Sequence, residues 1–325
     1  MKILLTGAAG FIGSHLAEAL LGKGHSIIGI DNLNNFYDPA LKRKNLSEIE
    51  ATAKKLKGKF ECHQGDICNE DFIVPLIKKE KPDGIIHLAA MAGVRPSIED
   101  PILYETVNGL GTTVLLEASR QAGIHHFIFG SSSSVYGLNT KVPFAESDPV
   151  NLPYSPYAQT KRANELQCHV YHKLYKMNFA CLRFFTVYGP RQRPDLAIRK
   201  FTELMYEGKS IPILGDGSFR RDFTYVDDII EGVMKSLDWI TQNSSQPKYE
   251  IFNLGESATT SVLDLIHLLE KASGKKAKLD FKPVQPGDVP ITYADISKAR
   301  QILGYNPQIP LEAGIPRFIQ WFKGI

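Results

Sequence analysis

Cysteine is scarce in this chain: 325 residues contain four, Cys62, Cys68, Cys168 and Cys181. None stands in CxxC spacing and none clusters with histidine, so neither a zinc site nor a redox dithiol is indicated. They read as free, mostly buried thiols in a reducing compartment. The nine histidines show no HxH or HExxH spacing, and no metal site is expected. Long apolar runs are missing as well. None reaches 18 residues, which excludes a transmembrane helix and a membrane partner. The apolar start at Met1–Leu5 breaks off at Thr6-Gly7, too soon for the core of a signal peptide, so a cytoplasmic location is expected. Charge of one sign is absent too. Lysine and arginine total 38 against 35 aspartates and glutamates, a net +3, which gives no electrostatic case for nucleic acid. There is no low-complexity tract and no repeat of roughly 20–50 residues.

What remains is an ordinary globular composition, 43% hydrophobic and 22% charged, in a chain long enough for two domains. Short β-branched runs stand at 2–6, 26–31, 59–62, 84–89, 126–130 and 179–184. Stretches of helical periodicity lie between most of them, at 13–23, 102–122 and 155–176. This alternation predicts a doubly wound parallel α/β sheet. Residues 32–58 read as a lysine-rich surface loop plus one helix. The back half is richer in glycine and proline turns, and no clean linker separates it from the front. Pro316 is expected in the first turn of a terminal helix.

The first strand runs into Gly7-Ala8-Ala9-Gly10-Phe11-Ile12-Gly13 and then a helix. This GxxGxxG spacing suits a dinucleotide: one glycine for the turn, one for approach to the pyrophosphate, one for helix–strand packing. The helix N-terminus adds partial positive charge for the phosphates. Asp31 ends the second strand, 18 residues after Gly13. Its carboxylate suits a ribose diol and repels a 2′-phosphate, favouring NAD over NADP; Asp31-Asn32 is also good turn chemistry. Asp66 and Ile67, after the third strand, suit the adenine. Small residues at Leu88-Ala89-Ala90 let backbone lie against the cofactor.

A serine run, Ser131 to Ser134, closes another strand ahead of Val135-Tyr136-Gly137. Farther on, Tyr157 and Lys161 are four apart and share a helix face. Alone, such a pair is common on helix surfaces. Beside a serine and a cationic cofactor, Tyr157 becomes a workable base for a sugar hydroxyl. The Asp227-Asp228 pair reads as first-turn helix acids rather than a metal or acid/base pair. His87 reads as structural.

These motifs together resemble the extended short-chain dehydrogenase/reductase family of NAD-dependent nucleotide-sugar epimerases and dehydratases, over essentially the whole chain. The resemblance implies a Rossmann-type domain over 1–178, with a returning segment around 216–253. It implies a smaller, interleaved α/β domain for the nucleotide sugar, mainly over 179–325. It places catalysis on Ser132, Tyr157 and Lys161. It places NAD on Gly7, Gly10, Phe11, Ile12, Gly13, Asp31, Asn32, Asp66, Ile67, Leu88, Ala89 and Ala90, with Tyr157 and Lys161.

The family's dehydratases carry Asp-Glu at the positions of Ser133 and Ser134, and its decarboxylases carry a glutamate at 134. Neither serine does carboxylate work, which leaves a 4-epimerase. Phe184–Asp195, Ala92–Ser97 and Gln285–Pro290 resemble the family's 4-epimerases of UDP-glucuronate, whose product is UDP-galacturonate. A 4-epimerase of a neutral or N-acetylated UDP-hexose and a non-catalytic NAD-binding regulator are the other readings. The resemblance assigns the substrate to Arg95, Ser133, Ser134, Thr186, Arg193, Arg221 and Asp288. Arg221 would clamp the phosphates, Arg193 or Arg95 the uronate, and Asp288 the ribose. Gln285 stands where many members have a phosphate-binding arginine. The family also implies a homodimer through a four-helix bundle of 102–122 and 155–176, with Val114, Leu115, Val170 and Tyr171 as apolar candidates.

Overall fold

The computed structural model describes residues 1–285 and 287–324; Pro286 of the Gln285–Pro290 motif lies outside them. Seven strands make one parallel sheet: Lys2–Thr6 (β1), Ser26–Asp31 (β2), Phe60–Gln64 (β3), Gly84–His87 (β4), His126–Ser132 (β5), Asn178–Phe184 (β6) and Tyr249–Leu254 (β7). Their order is β7-β6-β5-β4-β1-β2-β3. Winding reverses between β1 and β4, where Thr6 is in register with Ile30 on one side and His87 on the other. That reversal opens a crevice beyond the strand ends, the usual ligand position in such sheets. The expected Rossmann-type doubly wound architecture is therefore present.

Burial on both faces explains the continuous apolar strands. In β1, Ile3 and Leu5 pack into one core cluster and Leu4 into the other, as period-two alternation requires. Helices Phe11–Gly22 (α1) and Pro39–Leu56 (α2) follow β1 and β2. Asp38 caps α2 by accepting the Ala40 N–H at 2.8 Å, with Pro39 in the first turn. Helices Glu70–Glu80 (α3) and Val94–Glu99 (α4) follow β3 and β4.

The expected helix at 102–122 is divided. After a single turn at Pro101–Tyr104, Glu105–Leu110 is π-wound, and Gly111–Ala122 (α5) resumes α geometry. The bulge presents the buried Asn108, whose amide accepts the Met91 N–H at 2.8 Å and donates to Met91 O at 3.0 Å. π-Bulges often serve a site in this way. Helix Pro156–Tyr175 (α6) starts at Ser155, whose hydroxyl accepts the Ala158 N–H at 3.1 Å. Helix Val226–Thr241 (α7) carries Asp227 and Asp228 in its first turn. There Asp228 accepts the N–H groups of Gln308 and Ile309 at 2.9 and 3.0 Å, a tie to the segment before the terminal helix.

Two further expectations need correction. Pro316 lies in the second turn of the helix Leu311–Phe322, not the first. Leu115 is fully buried in the core of α5 and cannot face a partner chain. The 32–58 excursion is a loop and one helix as expected, with Lys42, Asn45, Ile49 and Ala53 buried along α2. Among the described residues, no helix is long and apolar enough to cross a membrane.

Candidate active site

A cavity of about 620 Å³ opens at the sheet's winding reversal. Every site residue expected from the sequence lines it except Asp66. It collects Gly7, Gly10, Phe11, Ile12 and Gly13 from the first turn, Asp31 and Asn32 from the end of β2, and Ile67 from the loop after β3. Leu88, Ala89 and Ala90 form the floor beyond β4. Asp66 stands just behind, where it accepts the Asn32 amide at 3.0 Å and the Cys68 N–H at 2.8 Å. Burial works against the Asp66 carboxylate, yet these donors hold it below the usual carboxylate range.

The glycine turn is sterically exact in its demands. Gly7 has φ +72°, and a Cβ there would meet Ala89 N at 2.8 Å. A Cβ on Gly13 would lie 2.0 Å from Gly7 O. The Gly10 cap of α1 offers no side-chain acceptor, which leaves the first-turn amides for a ligand. A close-approach cradle before a helix N-terminus fits a dinucleotide pyrophosphate. Asp31 fits the ribose end. Burial raises its carboxyl above the usual range, opposed by hydrogen bonds from Leu33 and Ala9 and by the Lys42 ammonium 4.0 Å away.

On the reacting side, β5 ends in Ser131 and Ser132. The Ser131 hydroxyl donates to Glu165 at 2.7 Å and so points into the fold. Ser132 faces the cavity and caps a short turn: its Oγ accepts the Ser134 N–H at 3.2 Å and the Ser134 hydroxyl at 3.0 Å. The Ser132 hydroxyl also favours the ionised form of the neighbouring Tyr157 phenol. Burial pushes the Tyr157 phenol above its ordinary value, and the Ser132 bond and the Arg193 charge pull it back.

Lys161 is one helical turn on, buried, with Nζ donating to Gly130 O at 2.7 Å and standing 5.9 Å from the Tyr157 ring. Burial lowers its ammonium to about 7. His87 is packed between Thr6 Oγ1 at 2.7 Å and Thr112 Oγ1 at 3.0 Å, and burial holds it near 3, hence neutral. Beneath the site, Glu165 of α6 and Arg183 of β6 form a two-pronged pair at 2.8 and 2.9 Å, both fully buried.

The far wall brings Ser133, Ser134, Thr186, Arg193, Arg221 and Asp288 to the same cavity. Arg221 donates Nη1 to Arg220 O at 2.8 Å, and among the described residues it has no carboxylate partner. Burial lowers its pKa, Asp288 acting the other way, so it is a cation short of a counter-ion. Arg95 is paired with Asp288. Asn34, Phe36, Tyr37, Lys42, Met91 and Tyr154 also line the cavity and were missed from the sequence. Only the asparagine-rich turn before Asp38 hinted at an ordered loop there.

Comparison with known proteins agrees with this geometry. The model of the family described as GDP-mannose 4,6 dehydratase matches residues 4–318. A UDP-glucuronate 4-epimerase of Thermodesulfobacterium geofontis is 41% identical, over 98% of this chain and 95% of that one. The structure of a UDP-glucuronic acid 4-epimerase from Bacillus cereus, in complex with UDP-glucuronic acid and NAD, has a TM-score of 0.90 and 40% identity, covering 100% of this chain and 99% of that one. A UDP-glucose 4-epimerase from Thermotoga maritima, with UDP-glucose, has a TM-score of 0.88 and 32% identity over 100% and 99%. The glycine cradle, the Ser132–Tyr157–Lys161 cluster and these full-length matches lead to one assignment: the chain belongs to the GDP-mannose 4,6 dehydratase family of extended short-chain dehydrogenase/reductases.

Proposed function

We propose that this protein is an NAD-dependent isomerase that converts UDP-glucuronate to UDP-galacturonate by inverting C4 through a 4-keto intermediate. The observation that carries the reading is the placement of Ser132, Tyr157 and Lys161 beside Ser133, Ser134 and Arg193 in one cavity. The base and its partners are present, and no carboxylate stands at 133 or 134 to eliminate water or expel CO₂. The glycine cradle and Asp31 hold NAD, which supplies a hydride acceptor and donor at C4. Tyr157, as phenolate, takes the proton of the 4-hydroxyl, with Ser132 beside it favouring the ionised phenol. Arg221 holds the diphosphate, while the 4-keto sugar turns its other face to the cofactor. Tyr157 then returns the proton to the inverted alkoxide.

A uronate oxidised at C4 is a β-keto acid and loses CO₂ when its carboxylate stands perpendicular to the ketone. Thr186, Ser133, Ser134 and Arg193 are the residues we assign to holding that carboxylate in place. Residues 1–178, with the returning segment 216–253, serve NAD in this reading, and 179–325 mainly serve the nucleotide sugar. The exposed Ile102, Leu110, Leu166, Val170 and Leu174 support a homodimer through the helices at 101–122 and α6. Four free cysteines support a reducing, cytoplasmic location.

The test is product analysis. Purified protein given UDP-glucuronate without added NAD yields the C4 epimer. A UDP-pentose alone, or no product, overturns the reading. Faster turnover of UDP-glucose than of the uronate favours the neutral-sugar epimerase, the activity named for the Thermotoga maritima neighbour.

A further inference from the structure

The loop between β2 and α2 reaches from the cofactor side of the cavity to Arg193. Phe36 places its ring 5.4 Å from the Arg193 guanidinium carbon. The Phe36 N–H donates to Asn34 Oδ1 at 3.2 Å. Lys42 Nζ binds that same oxygen at 2.8 Å and Asn34 O at 3.0 Å, and stands 4.0 Å from Asp31. A continuous set of polar contacts thus runs from the carboxylate at the end of β2 to the backbone of Phe36.

Arg193 is constrained from two sides. Its Nε and Nη2 fork onto Asp195 at 2.9 and 2.7 Å. Its Nη1 has no partner among the described residues. Asp195 therefore fixes one edge of the guanidinium plane, and the guanidinium lies over the Phe36 ring. The Nη1 edge is left for a ligand. A guanidinium is drawn to an aromatic face by the ring's quadrupole, and its rigid fork recognises carboxylates only when its plane is correctly set.

We propose that Phe36 is a positioning residue for Arg193: its ring sets the guanidinium plane against the acidic group of the sugar, so the cofactor-side loop determines specificity for a uronate. The inference rests on the proposed function. It explains why an aromatic ring occupies a polar, asparagine-rich turn, where chain reversal alone needs none.

The experiment uses the NAD-loaded protein and calorimetric titration with UDP-glucuronate and, separately, UDP-glucose. Phe36→Leu keeps an apolar side chain and removes the aromatic face; Phe36→Met is a second such variant, and Phe36→Tyr restores the face. The leucine and methionine variants weaken UDP-glucuronate binding by about 3- to 30-fold, the range of a cation–π contact. Their UDP-glucose affinity and NAD content stay at the parent level, and Phe36→Tyr recovers the uronate. Equal weakening of both sugars, no weakening of either, or loss of NAD overturns the proposal. A parent protein that epimerises no UDP-glucuronate and shows no preference for it overturns the function itself, and the present inference with it. A parental preference that survives in both apolar variants overturns only the role of Phe36.

Discussion

Arg95 Nη2 meets Asp288 Oδ1 at 2.7 Å, joining residues 193 apart in sequence across the cavity. Val94 and Ile98 of the same helix approach Gly287, so the two walls touch here through both charge and apolar surface. Arg95 is half exposed and Asp288 nearly buried. Without Arg95, the Asp288 carboxylate would face an incoming diphosphate with only Arg221 to offset it. Arg95→Ala is therefore expected to raise KM for UDP-glucuronate by about 2- to 5-fold, within the value of a partly exposed charge pair. The change in kcat is expected to be much smaller, because Arg95 bonds to none of the reacting groups. The exchange Arg95→Asp with Asp288→Arg recovers part of the loss. Steady-state kinetics of the two variants checks this.

Proton abstraction needs the Tyr157 phenolate, so kcat/KM rises with pH until the phenol has ionised. Burial raises that pKa and the Ser132 hydrogen bond lowers it. Ser132→Ala removes the lowering influence. Its rising limb therefore lies at higher pH than the parent's, and its rate near neutrality falls by about 10²-fold. Tyr157→Phe loses about 10²- to 10⁴-fold and retains NAD. Superimposable pH profiles for the parent and Ser132→Ala take Ser132 out of the proton path.

Lys161 gives a linkage prediction of defined sign. Its ammonium is lowered by burial to about 7 from 10.5, so between these values the unfolded chain binds the extra proton and the native chain does not. Stability contributed by the site rises with pH through that window, and the full penalty of the buried charge is felt below it. The melting-temperature difference between the parent and Lys161→Met should therefore shift in the parent's favour from pH 7 to 9. A difference that does not change with pH contradicts a depressed Lys161.

Glu165 and Arg183 are each fully buried, and Glu165 also takes hydrogen bonds from Ser131 and Arg162. The pair ties α6, which carries Tyr157 and Lys161, to β6 and the end of β5. Glu165→Gln leaves the guanidinium charge without its counter-ion. The expected cost is about 3–5 kcal/mol in denaturant unfolding, as for other broken buried pairs. Replacing both by apolar residues of similar size costs less, since no charge is then stranded. A Glu165→Gln protein of parental stability would show that the pair is not what fixes α6.

The parts of this site that were legible in the sequence are those made by short-range geometry. Gly7, Gly10 and Gly13 share one turn, and Tyr157 and Lys161 share one helix face. Ser132 follows from the strand it ends. The same locality made the six β-branched runs readable as strands. What was not legible depends on long-range packing. Arg95 and Asp288, Phe36 and Arg193, and Glu165 and Arg183 meet only because the sheet order brings distant segments together. Lys42 was hidden among exposed lysines, although its ammonium is buried toward Asp31. The π-wound turn at Glu105–Leu110 was also invisible, because its apolar spacing continues the pattern of the flanking helices. Pro316 follows the terminal helix start by five residues, too close for composition to place it in one turn or the next.

Ser134 offers the sharpest test of how the product is chosen. Its hydroxyl is 3.0 Å from Ser132 Oγ, close to the group that serves Tyr157. A carboxylate introduced here stands beside the ketone and repels the uronate carboxylate toward the perpendicular geometry from which CO₂ leaves. Ser134→Glu should therefore divert UDP-glucuronate from the C4 epimer to a UDP-pentose or its 4-keto form. Ser134→Gln has the same length without the charge, so it separates repulsion from crowding: its decarboxylated fraction should stay near the parent's while its rate falls. Chromatography of the products, with evolved CO₂ measured in parallel, checks both variants. If the glutamate variant simply slows epimerisation and releases no more CO₂ than glutamine does, charge at position 134 does not govern the partition. Retention of the carboxylate would then rest on Thr186, Ser133 and Arg193.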